Sequence, residues 1–419
     1  MQLFSRPFNV RLVLVCAMAA AVSFPMGVIS TAKALLLVGG LLVLLTDMWG
    51  RKQFRATRVP HWSSIAIFLA LGGLALSLLW TTAPSDEAAH AWAKHAKLAM
   101  IPLIVALLQT RAEALRAVTW FLGAQALVLV LSWLQVFHVP LPFPTQSSPG
   151  RDYLVFAGHL DQPIMTGLAT AVFWHLRGEL GLAGRRGLSV ASAVVALASV
   201  NVLVIQFGRT GHLVALALLG AAVFWAIPRR YKLLALLSPV IVAGAIAAGS
   251  PQVQHRMALV WQESSNYQSS GNIESSSGER LNYWKRSLQA FVERPLAGYG
   301  VGSWNMQYNR MEGGKGRFHT WQIRNPHQEF LLWMVEAGLA GLLLLCGVFA
   351  AAVRDGLRAQ AAAQRAVLSV VIAMLVSCIF NSALFDAQIG DYLCTALALA
   401  LAFSLRCTPQ TAPGKQAVP

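Results

Sequence analysis

The chain is poor in charge. Only 12% of its 419 residues are Asp, Glu, Lys or Arg, against 56% hydrophobic, whereas a soluble domain carries about a quarter charged residues. That shortage excludes water as the main solvent. Acidic residues are the scarcer sign, 17 Asp and Glu against 33 Lys and Arg. No Asp-x-Asp pair occurs, and the polar segments between apolar runs hold no carboxylate cluster suited to Mg²⁺ or Mn²⁺. Metal-free, cofactor-free chemistry is the simpler expectation. Cysteine is equally thin. Cys16, Cys346, Cys378 and Cys394 fall in apolar runs and Cys407 lies near the C-terminus, so the long polar segment 250–328 can form no disulfide and must hold its shape by packing. A convincing small-residue cleavage site is missing after the first apolar run, 11–29, and a second run follows at once, so the first reads as a span.

What is present in quantity is apolar runs near the ~20 residues that cross a bilayer. They fall at 10–28, 32–48, 60–80, 93–109, 117–137, 161–176, 188–206, 212–228, 233–249, 329–352, 366–384 and 392–405. The fold class is therefore an all-α polytopic membrane protein of about twelve transmembrane helices. Residues 1–249 hold spans one to nine, 250–328 form one large helical loop, 329–405 hold the last three spans, and 406–419 form a polar tail. The net charge of +16 would suggest nucleic acid in a soluble protein. Here the basic residues gather in the short loops of one face: Arg51, Lys52, Arg55 and Arg58; Arg177, Arg185 and Arg186; Arg229, Arg230 and Lys232; Arg354, Arg358 and Arg365. Such a bias sets orientation. It predicts an inner-membrane protein with both termini cytoplasmic, the 250–328 loop periplasmic, membrane lipids as surroundings and no nucleic-acid partner.

Within that loop a helix is predicted from Gln252 to about Glu263, then a Ser/Asn/Gly-rich stretch to Gly278. A second helix opens on a capping box of Ser276 and Glu279. It carries Leu281, Trp284, Leu288 and Phe291 as one apolar stripe laid on the membrane face of the bundle, and Pro295 with Gly298 end it. The glycine-dense run Gly298 to Trp304 reads equally as a flexible loop or as a place of close backbone approach.

Four places put polar groups at the periplasmic ends of spans. Gly208-Arg209-Thr210-Gly211-His212 is the whole connection between spans seven and eight. An Arg there sits at the mouth of the bundle or snorkels to headgroups. Glu279-Arg280 opens the amphipathic helix, where free N–H groups and the dipole favour an anion and Arg280 adds a bidentate fork; Lys285, Arg286 and Arg294 read as ordinary surface charge. Arg324-Asn325-Pro326-His327-Gln328-Glu329 precedes span ten, with His327 at the membrane surface. A lone interfacial histidine is usually structural. Beside these arginines it reads as a base, since its pKa lies closest to neutral. The last group is Lys94 and Lys97, then Arg151, His159, Asp161 and Gln162, then Asp386; the acids are suited to orient His327 or to pair with an Arg, or are plain interfacial residues.

Together, Gly208-Arg209-Thr210-Gly211, the run Arg280, Trp284, Ala290, Pro295-Leu296 and Gly298-Tyr299-Gly300-Val301-Gly302, and Pro326-His327-Gln328-Glu329 followed by Glu336-Ala337-Gly338 and Gly341 resemble the O-antigen ligase and polymerase superfamily. The resemblance covers roughly residues 200 to 345. It implies a GT-C-like glycosyltransferase architecture and transfer of a polysaccharide from undecaprenyl pyrophosphate, with lipid A-core as acceptor in the ligases of this size. The essential His of the family corresponds to His327 and its two essential Arg residues to Arg209 and Arg280. Gly208 stands where many members have Ser, and Gln328 where Asn is common. On this reading Arg209 and Arg280 hold the pyrophosphate in place of a metal and His327 activates the acceptor hydroxyl. Arg151, Lys94, Lys97, His159, Asp161, Trp304, Arg324 and Asp386 are the further substrate-binding candidates. An O-antigen polymerase and a protein O-oligosaccharyltransferase share these motifs. A flippase or transporter would instead place its polar groups near the bilayer midplane.

Overall fold

The computed structural model describes residues 9–50, 61–146, 153–206, 208–249, 251–270, 275–312 and 324–406. Among these every regular element is a helix and no strand occurs. A helix stands at each predicted span: α1 (Val10–Ala21), α2 (Met26–Gly50), α3 (Trp62–Ser77), then α4 (Ser85–His95) with α5 (Met100–Leu107), and α6 (Arg111–Val136). They continue as α7 (Asp161–Leu176), α8 (Arg185–Val200), α9 (Arg209–Ala226) and α10 (Lys232–Gly249). The loop contributes α11 (Pro251–Ser270), α12 (Ser276–Glu293) and α13 (Trp304–Met311), and the chain closes with α14 (Glu329–Leu357), α15 (Ala361–Phe380) and α16 (Ala387–Arg406). By length and composition eight of the described helices are long and apolar enough to cross a membrane. Three of the other four predicted spans fall short for simple causes: α1 has 12 residues, α7 has 16, and predicted span four is split into α4 and α5 by a short 3₁₀ turn.

Helix α16 is the axis of the bundle, with every residue from Ile389 to Ser404 buried. Around it pack α5, α6 and α15, while α14 lies along α3 and α9 along α7. The buried carboxylates of the bundle find partners, as dehydration demands: Lys33 bonds Oδ2 of Asp391 at 2.6 Å, and the carboxylate of Glu329 accepts from Trp333 and from the backbone of Leu384 and Phe385.

The glycine-dense run is a wedge and not a flexible loop. Helix α14 breaks at Ala337 and Gly338, the latter at φ 61°. The freed carbonyls of Val335 and Glu336 accept from Tyr299 and Gly300 at 2.9 and 2.8 Å, and the amides of Leu339 and Ala340 donate back to Pro295 and Leu296. Gly300, at φ 90°, lies so close to Thr81 that an added Cβ would come within 2.2 Å of that backbone, a position only glycine fills without strain. Beneath it, buried His95 and Glu336 meet at 2.9 Å, and Glu336 also accepts from the Gly302 amide.

Helix α12 departs from its predicted details. Its N-cap is Ser275, accepting from Gly278, and not Ser276; in a run of serines one residue's shift changes no composition signal. Its buried face carries Asn282, Tyr283, Ser287 and Ala290, while Leu288 of the predicted apolar stripe is 49% exposed. Close packing is the reason. Ser287 accepts from the indole of Trp304 at 2.8 Å, and Tyr283 meets Trp304 and Tyr308 edge to face. The predicted helix 252–263 extends to Ser270 as α11.

Candidate functional site

Three helix starts and one helix junction converge at the end of the bundle that carries the 251–312 segment. Arg209 is the first residue of α9, and the glycines flanking it explain its placement. A Cβ on Gly208 would lie 2.1 Å from the His159 carbonyl oxygen and one on Gly211 2.2 Å from Pro163. The start of α9 is thus seated directly on the start of α7, a contact that a side chain at position 208 would not permit here.

Arg280, in the first turns of α12, donates from Nη1 to the carbonyl of Phe380, the last residue of α15, at 3.3 Å. Its burial, and after it the charge of Arg209, hold the Arg280 guanidinium below the usual arginine range. Arg209 donates only a long bond, 3.4 Å, to Ser277. Among the described residues neither arginine has a carboxylate within ion-pair distance. Two neighbouring guanidinium groups that feel Asp386 and Glu279 only at a distance, with no ion pair formed, make a site for an anion with several oxygens.

His327 stands just before α14 with φ 51°, a left-handed conformation uncommon outside glycine. Its backbone N–H donates to Oδ1 of Asn325 at 2.9 Å, and the next amide, that of Gln328, donates to Ser382 at 3.0 Å. Ring atom Nδ1 lies 3.0 Å from Oδ1 of Asn381, whose Nδ2 donates to Asp386 at 3.0 Å. The Tyr283 ring lies 6.1 Å from the imidazole. Burial pushes the Asp386 carboxyl above the usual carboxylate range, against the opposing charges of His327, Lys94 and Lys97.

The structure thus brings together Arg209, Arg280, His327, Asp386, Lys94 and Lys97. Lys94 lies over the Phe385 ring at 4.3 Å, and Lys97 donates to the Asp386 carbonyl. Asp161, first residue of α7, is near enough to feel the Asp386 charge. His159 is exposed beside Gly208. Arg324 donates to His90 at 3.0 Å, on the rim of a cavity of about 300 Å³ that Asp86, Glu87 and Asn305 also line. Trp304 is not at the cluster: it is 2% exposed and stacked on Tyr308 inside the loop. Arg151 lies outside the described residues. Sequence reasoning passed over Asn381, which it placed inside predicted span 366–384, and Tyr283. The signal available for Asn381 was a polar residue closing an apolar run five positions before Asp386.

Residues 191–346 match the model of the O-antigen ligase family. The match contains Arg209, Arg280 and His327 and stops short of Asn381 and Asp386. No curated protein matches the chain.

Proposed function

We propose, from the match of residues 191–346 to the O-antigen ligase family, that the chain transfers a glycan from undecaprenyl pyrophosphate to a sugar hydroxyl of lipid A-core. The observation that carries this reading is the arginine pair, free of direct ion pairs among the described residues, at the end of the bundle where His327 stands. Like charges set close together, one of them half-buried, are unfavourable in the free protein, and a pyrophosphate relieves them. His327 takes the proton of the acceptor hydroxyl. The acceptor oxygen attacks the anomeric carbon, the bond from that carbon to the pyrophosphate oxygen breaks, and undecaprenyl pyrophosphate leaves with the electron pair between Arg209 and Arg280. A single displacement inverts the anomeric centre. Lys94 and Lys97 keep the neighbourhood cationic, and Asp386 balances them. Fixed guanidinium charge takes the role a metal would otherwise fill.

The test is transfer in vitro with purified protein, lipid-linked glycan and lipid A-core. Product should form and should survive excess chelator. Activity lost to chelator and restored by Mg²⁺ or Mn²⁺ would refute the metal-free account, and product formed only with a second lipid-linked glycan as acceptor would make the protein a polymerase.

The cluster is read as periplasmic, in the inner membrane, from the basic residues at the opposite ends of the helices. Cysteines placed at exposed Gln262, in α11, and at Gly184, before α8, report the orientation in intact spheroplasts. A membrane-impermeant thiol reagent should label position 262 only. Labelling at 184 alone would invert the topology.

A further inference from the structure

The two nitrogens of the His327 ring are not equivalent. Nδ1 faces Oδ1 of Asn381, and the other half of that amide, Nδ2, donates to Oδ2 of Asp386. A carboxylate accepts, so the Asp386 bond turns the amide with nitrogen toward Asp386 and oxygen toward the ring. An amide oxygen has no proton to give. The proton in the 3.0 Å contact therefore belongs to His327 Nδ1, and the lone pair of the neutral ring is on Nε2.

We propose that Asn381 is a positioning residue, which holds His327 in the Nδ1–H tautomer so that Nε2 receives the acceptor proton, and that Asp386 orients Asn381 for this task. The proposal rests on the reading of His327 as the base. Two features favour it over an incidental bond. Asn381 is 2% exposed and extended (φ −154°, ψ 163°) where α15 ends, so its amide has no solvent to turn toward. The segment is also anchored on both sides of the ring, by Ser382 bonding the Gln328 amide and by Arg280 bonding the Phe380 carbonyl. The choice of an amide over a carboxylate has chemical sense. A carboxylate on Nδ1 stabilises the imidazolium and raises the pH at which the ring can act as a base. Here the negative charge is one residue removed, at Asp386, where Lys94 and Lys97 offset it; among the described residues Tyr283 also faces the ring and Arg280 is held on the adjoining Phe380 carbonyl.

The experiment measures pH–rate profiles for transfer by the full-length protein carrying Asn381→Ala or Asn381→Asp, with donor binding and thermal unfolding recorded for each. Asn381→Ala should lose at least about tenfold in turnover at unchanged donor affinity, because the tautomer is no longer imposed. Asn381→Asp still accepts from Nδ1–H but sets a carboxylate on the ring. It should stay active, with the acid limb of kcat/KM moved to higher pH by about one unit or more. A role in stability alone would lower the unfolding temperature and leave that limb where it is. Wild-type turnover in Asn381→Ala, or an unmoved acid limb in Asn381→Asp, would overturn the proposal. His327→Ala measured alongside separates the failures: if it is inactive while the Asn381 variants behave as wild type, only the positioning role falls; if it is active, the base assignment falls with it.

Discussion

Replacement of His327 by alanine should lower single-turnover transfer by about a hundred- to ten-thousand-fold, the usual worth of a positioned general base, while donor affinity changes little. The substitution has a second effect that must be separated from the first. His327 is left-handed at φ 51°, a conformation that costs roughly 1–2 kcal/mol in most residues and that asparagine tolerates better than alanine. His327→Asn therefore preserves the turn without supplying a base. Both variants should be equally inactive. Activity recovered in His327→Asn would mean that the histidine serves the backbone turn, and normal turnover in His327→Ala would remove it from the reaction.

The arginine pair should fail differently. Arg280→Lys and Arg209→Lys retain charge but lose the planar fork, so neither should restore donor binding. Loss of one charge-assisted hydrogen bond, about 1.5–3 kcal/mol, corresponds to roughly one to two orders of magnitude in donor affinity. The alanine variants should be worse in both binding and turnover. Stability should move the other way. Removing Arg209 relieves the repulsion that Arg280 feels, so Arg209→Ala should unfold at or above the wild-type temperature without donor and gain less from its addition. Thermal unfolding with and without lipid-linked glycan reads this directly. Full activity in both lysine variants, or destabilisation of donor-free Arg209→Ala, would show that the pair serves the fold.

The membrane helices were legible because an apolar run of membrane length has few other structures open to it, and the helix at each predicted span reflects that constraint. Arg209 and His327 drew notice for a related reason, since ionisable groups at span ends are costly enough to stand out, and Arg280 for its place near a helix start. Features that depend on three-dimensional fit were not. The most buried face of α12 is Asn282, Tyr283, Ser287 and Ala290, set by close approach to Trp304 and Tyr308 and not by hydropathy, while of the apolar stripe Leu281, Trp284 and Phe291 are half-buried and Leu288 is exposed. The glycine-dense run before Trp304 read equally as a flexible loop or a close approach, and only the fold shows it pressed onto α14. Asn381 was hidden by the apolar residues around it. Its meaning appears only when the end of α15 is seen against a histidine 54 positions earlier.

The break in α14 also bears on the order in which the protein is made. The wedge at 298–302 leaves the ribosome before the helix whose carbonyls it completes, and until Val335 and Glu336 arrive, the amides of Tyr299 and Gly300 lack the partners they have in the finished fold. The reverse holds as well: α14 cannot settle among its neighbours with an interrupted backbone unless that earlier segment is already waiting beside it, since unpaired peptide groups are expensive away from water. The two are halves of one joint, separated in synthesis by the stretch between them. His327 then acquires Asn381 and Asp386 only as the final pair of helices enters. A nascent chain halted before α15 would carry both arginines and the histidine yet lack Asn381 and Asp386, so assembly of the cluster coincides with entry of the last two helices.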